Sequence, residues 1–97
     1  MTLYDKEGPV QVAIGDKFIC NLEGVKALME VIHPYFSKEK RGLISCRVIE
    51  GALLDIESKR HGPGSFGDLP VDRVAAAVRR YRAKKAEGLV KHDNAQD

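Results

Sequence analysis

Apolar and polar residues alternate along residues 10–22, which predicts a β-hairpin. The first apolar set is Val10, Val12 and Ile14, and the second is Phe18, Cys20 and Leu22. A three-residue loop over residues 15–17 places the two sets opposite each other on one face of the hairpin. A two-residue loop would mix them with the other face, so the longer loop is favoured.

A second hairpin is predicted over residues 44–56 by the same argument. With residues 49–51 as the loop, the apolar residues of the two strands again face each other, in the pairs Val48 with Ala52, Cys46 with Leu54 and Ile44 with Ile56. The third loop residue is Gly51, which suits the left-handed conformation that a turn with a bulge requires.

Two segments have helical rather than alternating periodicity. Val25, Leu28, Met29 and Ile32 recur at i, i+3, i+4 and i+7, which predicts an amphipathic helix that begins after Asn21 and ends near His33. A second helix is predicted to begin at Pro70 and end at Gly88. Its apolar stripe comprises Val71, Val74, Ala75, Val78 and Tyr81.

The predicted order is therefore hairpin, helix, hairpin, helix (ββαββα), an α+β fold. A four-stranded, mainly antiparallel sheet with both helices on one face would cover every apolar surface. The chain of 97 residues has room for one core. We expect a flexible N-terminus over residues 1–9, a single domain over residues 10–90 and a flexible tail over residues 91–97.

Composition and cysteine placement predict a cytoplasmic protein. No apolar run approaches the roughly 20 residues that span a bilayer, and the first ten residues lack a signal-peptide pattern. Cys20 and Cys46 lie inside apolar strand patterns, which favours buried thiols over a disulfide or a zinc site.

Charge is distributed unevenly about the net value of +2. Residues 1–37 contain five acids and three bases, whereas residues 38–97 contain nine acids and thirteen bases. Between residues 73 and 91, Glu87 is the one acid among seven bases. The predicted second helix therefore presents a basic surface, whose alternative interpretation is a solvated helix face.

The residues that resemble catalytic or ligand-binding groups lack the required partners. Ser65 misses one of the glycines of a nucleophile elbow, and the three histidines are dispersed. Asp55 and Glu57 have the spacing of a solvated strand face. We predict no enzymatic activity, no cofactor and no metal site.

The segment from Ser58 to Asp68 contains three glycines and suggests a phosphate-binding loop. A phosphate there would use unpaired backbone N–H groups and the helix N-terminus. Asp68 and Asp72 place negative charge at that position, and the spacing matches neither a P-loop nor a dinucleotide-binding loop. A binder or enzyme of a small phosphorylated ligand is therefore the least favoured of three functional hypotheses.

The leading hypothesis is a small non-enzymatic binding or regulatory protein that engages an acidic partner. That partner is nucleic acid or a protein that handles nucleic acid, and small size suits an inhibitor of the mobile-element or phage type. The predicted binding residues lie on the basic loop and the second helix. They are Lys59, Arg60, His61, Arg73, Arg79, Arg80, Arg82, Lys84 and Lys85.

A second hypothesis is a homo-oligomeric adaptor or inhibitor that uses a sheet edge or an exposed sheet face. The predicted registers place Ile19, Leu43 and Leu53 opposite the core, where they would form an apolar patch. Tyr35 and Phe36 precede a charged segment and form either an interface anchor or a cap over the end of the sheet.

Overall fold

The computed structural model describes residues 1–34 and 42–88, which form eight strands and one helix. The strands are β1 (Thr2–Asp5), β2 (Gly8–Gln11), β3 (Lys17–Leu22), β4 (Val25–Pro34), β5 (Leu43–Gly51), β6 (Leu53–Leu54), β7 (Arg60–His61) and β8 (Phe66–Pro70), and the helix is α1 (Val71–Ala86).

The centre of the fold is a four-stranded antiparallel sheet in the order β3-β4-β5-β8. Two short hairpins, β1-β2 and β6-β7, form separate two-stranded sheets. Helix α1 packs against β1, β2, β3 and β8, and the largest fully buried side chains include Phe18, Met29 and Ile44. The core therefore lies between the central sheet, the helix and the N-terminal hairpin.

The predicted fold with two helices on a four-stranded sheet is wrong, because the first predicted helix is strand β4. Glu23 and Gly24 both have positive φ values, 52° and 82°, and form the two-residue turn of a β3-β4 hairpin. Ala27, Leu28 and Met29 are all buried beside a register shift between Leu28 and Met29. Burial of successive residues in a strand hides its two-residue period and imitates a helical stripe.

Both predicted hairpins are also wrong in their pairing. Val10 pairs with Leu3 of β1 instead of Leu22, and Ile14 is exposed. Strand β5 continues to Gly51 and pairs with β4 and β8, while Leu53 and Leu54 pair with β7. The predicted three-residue turn at residues 49–51 thus lies within β5.

The predicted second helix is confirmed as α1. Its buried residues include Val74, Ala75, Val78 and Tyr81 of the predicted stripe, and Pro70 occupies the N-cap position. Asp72 lies in the first turn and Lys84 and Lys85 lie in the last, where their charges are favourable to the helix dipole. Helical period and end signals agree here, because one continuous face of α1 is buried.

The N-terminal residues differ from the predicted domain boundary. Residues 1–9 were assigned outside the domain, whereas they contain β1 and part of β2, and Leu3 belongs to the buried core. Residues 91–97, predicted as a tail, lie outside the described residues.

Candidate binding groove

The basic loop at residues 59–61 carries less available charge than its sequence suggests. Strand β7 pairs with β6, and His61 Nε2 lies 2.8 Å from Asp55 Oδ2. Asp55 Oδ1 also accepts hydrogen bonds from the backbone N–H groups of Glu57 and Lys59. The hydrogen bond with His61, followed by those from the backbone, lowers the pKa of Asp55. Asp55 therefore organises this loop and offsets part of its positive charge.

The glycine loop uses backbone groups that a phosphate would need. Gly64 N–H donates to the carbonyl oxygen of Val48 at 2.8 Å, and Ser65 N–H donates to that of Gly62 at 3.1 Å. The first bond extends the pairing between β5 and β8, and the second closes a turn within the loop. The loop thus continues the sheet and does not present these two donors to an anion.

Arg79 is held by the N-terminal hairpin. Its Nε and Nη2 atoms donate to Oδ2 and Oδ1 of Asp5, each at 3.0 Å, and Nη2 also donates to the carbonyl oxygen of Gly8 at 3.2 Å. The Asp5 side chain is only 5% exposed, and the hydrogen bond from Arg79 is the main cause that lowers its pKa. Arg79 therefore fastens β1-β2 to α1.

Arg82 and Lys85 lie on the side of α1 that faces the loop before β3. Arg82 Nη2 donates to Asp16 Oδ2 at 2.7 Å, and the same carboxylate oxygen accepts a hydrogen bond from the N–H of Ala13. Lys85 borders the same shallow depression as Asp16 and Arg82. Carboxylates from the first part of the chain thus engage Arg79 and Arg82, two of the six arginines and lysines on α1 that are predicted to bind a partner.

Four other cations surround a groove of about 310 Å³ between β3 and α1. Its floor and walls include Phe18, Cys20 and Tyr81, and no carboxylate borders it. Among the described residues, none of the four cations forms an ion pair with a carboxylate. We call this the cationic groove, and its cations are Lys26, Arg73, Arg80 and Lys84.

The groove is built by a helix that runs beside an edge strand. Arg73, Arg80 and Lys84 recur at i, i+7 and i+11, which places them on one side of α1. Cys20 lies close enough to Arg73 for the guanidinium to oppose the rise in the thiol pKa that burial causes. Asp16, before β3, contacts Arg82 near the other end of the helix. Helix and strand therefore run in opposite directions along the groove.

Lys26 links the groove to the basic loop. It borders the cationic groove and also a second depression, whose other residues include Gly24 and Arg60. Gly51 fixes the backbone beneath it: its φ is 82°, and a Cβ at that position would overlap the carbonyl oxygen of Lys26. The structure thus brings Arg60 of the predicted loop toward the predicted helix face, with Lys26 between them.

Sequence reasoning missed Lys26 and the strand edge beside it. Lys26 lies outside the apolar stripe of the predicted first helix, which is instead strand β4. The signal that would have placed it is the Glu23-Gly24 pair, a two-residue turn between apolar runs. With that turn recognised, Lys26 falls opposite Asn21 on the neighbouring strand.

The predicted apolar patch is not assembled. Leu53 is 8% exposed and belongs to the core, where its side chain occupies the space that a Cβ at Gly67 would need. Ile19 pairs with Leu28, and Leu28 pairs in turn with Glu50 near the end of β5. Leu43 lies at the beginning of β5. Glu50 and Leu43 are seven residues apart along β5, a distance of roughly 23 Å, so Ile19 and Leu43 lie toward opposite ends of the sheet. Tyr35 and Phe36 lie outside the described residues.

The two cysteines are buried and unpaired, as predicted. Burial, with smaller contributions from Cys20 and Asp68, raises the pKa of Cys46 to about 12. Burial also raises the pKa of Cys20 despite nearby Arg73. Both thiols therefore remain protonated at neutral pH and act as small apolar side chains.

Over residues 1–34 and 42–88, no three His, Cys, Asp or Glu side chains converge as ligands of a metal ion would. In the same part of the chain, no helix is long and apolar enough to cross a membrane. Comparison with protein-family models, with curated proteins and with solved structures gave no significant match.

Proposed function

We propose that this protein is a small non-enzymatic binding protein that engages an acidic macromolecule through the cationic groove. The observation that carries the proposal is the set of four cations around one groove, without a carboxylate at its border. Arg73, Arg80 and Lys84 are all exposed. Grouped cations that lack internal partners raise the local electrostatic potential and favour association with anionic partners.

Binding through the cationic groove differs from binding by a surface that is basic throughout. The net charge is only +2, and several bases are already matched, including Arg47 with Glu30 at 2.8 Å and Arg79 with Asp5. Binding driven by net charge alone would be weak at this value. The groove instead groups four cations without a carboxylate at its border, while Arg73 and Arg80 also border a neighbouring depression that contains Asp5, Glu7 and Asp72. Binding is therefore expected to depend on a few identifiable residues.

The test is fluorescence anisotropy with labelled duplex DNA, single-stranded DNA, single-stranded RNA and acidic peptides across a salt series. We expect at least one class of polyanion to bind at low salt and to dissociate as salt rises. The double variant Arg80→Gln/Lys84→Gln should weaken that binding by about tenfold or more.

The matched control is Arg82→Gln/Lys59→Gln, which removes the same net charge outside the groove. It should retain nearly all of the affinity. Equal losses in the two double variants would show that net charge, and not the groove, determines binding. No binding of any polyanion at low salt would refute the proposed function.

A further inference from the structure

We propose that the occupant of the cationic groove is an extended acidic polypeptide segment that pairs with the outer edge of β3 as an added strand. This inference rests on the proposed function and names the class of partner. Three features carry it: the hydrogen-bonding direction of β3, the length of the cation row, and the poor fit of the other possible occupants.

The hydrogen-bond pattern shows which backbone groups of β3 point outward. Val31 N–H donates to the carbonyl oxygen of Asp16, and Val31 in turn accepts from the N–H of Gly15, so this level of the β3-β4 pair is hydrogen-bonded. Bonded and non-bonded pairs alternate in an antiparallel ladder. Phe18 and Cys20 therefore bond to β4.

It follows that the N–H and C=O groups of Ile19 and Asn21 point away from β4, toward the groove that both residues border. No other described strand pairs with this edge of β3. An added strand would satisfy these groups, which recur about every 6.8 Å along β3.

The cation row matches the length of such a strand. Arg73 and Lys84 are eleven residues apart on α1, a distance of about 16 Å along the helix axis. Side chains on one face of an extended peptide recur about every 6.8 Å, so three alternate acids span about 14 Å. Acids at i, i+2 and i+4 of a strand beside β3 would thus reach the row of Arg73, Arg80 and Lys84.

A second copy of this chain fits the edge poorly. A two-fold dimer brings the same surface of both copies together, so pairing between two β3 edges would bring the two rows of cations close to each other. The resulting like-charge repulsion opposes association. The edge therefore favours a partner of opposite charge.

Single-stranded nucleic acid also fits less well. Its tight binding normally requires aromatic side chains on which bases stack. The two aromatic residues at the groove, Phe18 and Tyr81, are only 1% and 6% exposed. A nucleic-acid backbone also lacks N–H groups that would bond to the outward carbonyl groups of β3.

The opposite edge of the sheet provides an internal contrast. Val71 N–H donates to Gly42 and Val48 N–H donates to Ser65, so the outward groups of β8 belong to Phe66, Asp68 and Pro70. Proline offers no N–H, and a carboxylate repels an acidic strand. An acidic peptide would therefore select the β3 edge.

The test uses synthetic peptides of about nine residues in which Glu alternates with Val. A peptide of the same composition with its Glu residues in one block is the control. Two further peptides carry N-methyl groups either on every Glu or on every Val, because each series removes the N–H donors along one edge of the extended peptide. Affinity is measured by anisotropy, and amide exchange by NMR.

We expect the alternating peptide to bind at least about tenfold more tightly than the block peptide. One N-methylated series should lose this binding and the other should keep it. The amides of Ile19 and Asn21 should exchange more slowly in the complex, whereas those of Phe18 and Cys20, already bonded to β4, should change little.

Equal binding of the block peptide and of both N-methylated series would overturn strand addition while leaving the acidic-partner function intact. Binding of nucleic acid without any peptide would overturn the choice of partner. Dimerisation through β3 would assign the edge to a second copy and would also refute the inference. Failure of every polyanion would remove both proposals.

Discussion

Helix α1 carries two sets of cations that differ in their partners, although they share one helix and one residue chemistry. Arg79 and Arg82 bond to Asp5 and Asp16 from the first part of the chain. Arg80 and Lys84 have no such carboxylate and border the cationic groove. The position of a cation relative to acids that are distant in the sequence, and not the local charge density, therefore determines whether the cation stabilises the fold or can bind a partner.

The largest expected effect is the loss of stability when Arg79 is replaced. Arg79→Gln leaves the nearly buried carboxylate of Asp5 without its main donor, so we expect the melting temperature to fall by about 5–10 °C. Arg80→Gln removes the same charge from an exposed position and should change it by no more than about 2 °C. Thermal unfolding followed by circular dichroism measures both. Similar shifts in the two variants would contradict the distinction.

The ion pair between Asp5 and Arg79 also makes the stability of the fold depend on acidic pH. Since Arg79 lowers the pKa of Asp5 in the folded protein below the ordinary value of 3.8, this ion pair stabilises the fold above about pH 4. Its contribution is lost as the pH falls through the folded-state pKa. Wild-type protein should therefore lose stability below about pH 4 more steeply than Arg79→Gln, in denaturant titrations at a series of pH values. Parallel pH profiles would show that this pair is not linked to folding.

A smaller effect is expected at Arg82. Its side chain is 47% exposed and that of Asp16 is 30% exposed, so solvent screens the pair. Arg82→Gln should cost about 0.5 kcal/mol, measured by urea unfolding at low salt. The difference from wild type should shrink at high salt. A loss as large as that of Arg79→Gln would place Arg82 in the same structural class.

The smallest effect is expected when the carboxylate that pairs with Arg82 is removed, which leaves the Arg82 guanidinium available to a partner. Asp16→Asn retains an oxygen that accepts from Ala13 N–H but removes the charge that engages Arg82. We expect affinity for an acidic peptide to rise by about twofold to threefold. The same substitution in an Arg82→Gln background should give no gain. A gain of equal size in the Arg82→Gln background would show that the higher affinity arises from the change in net charge.

The sequence was sufficient to predict α1 because its caps and its apolar stripe describe the same element. It was insufficient for β4, where burial of consecutive residues concealed the two-residue period of a strand, so that a helix was predicted for the segment that contains Lys26. The basic residues of α1 were recognised as a group. Their division could not be predicted, because Asp5 and Asp16 lie more than sixty residues before the arginines they bind.

The link between Asp5 and Arg79 has a consequence for synthesis of the chain. These residues are separated by 74 positions, so the β1-β2 hairpin cannot form this contact until α1 has left the ribosome. Contacts of such high sequence separation slow folding and leave earlier elements exposed in the meantime. A nascent chain that ends before residue 71 would display Leu3 and Val10 without the helix that covers them, and these apolar side chains would remain open to aggregation until α1 emerges.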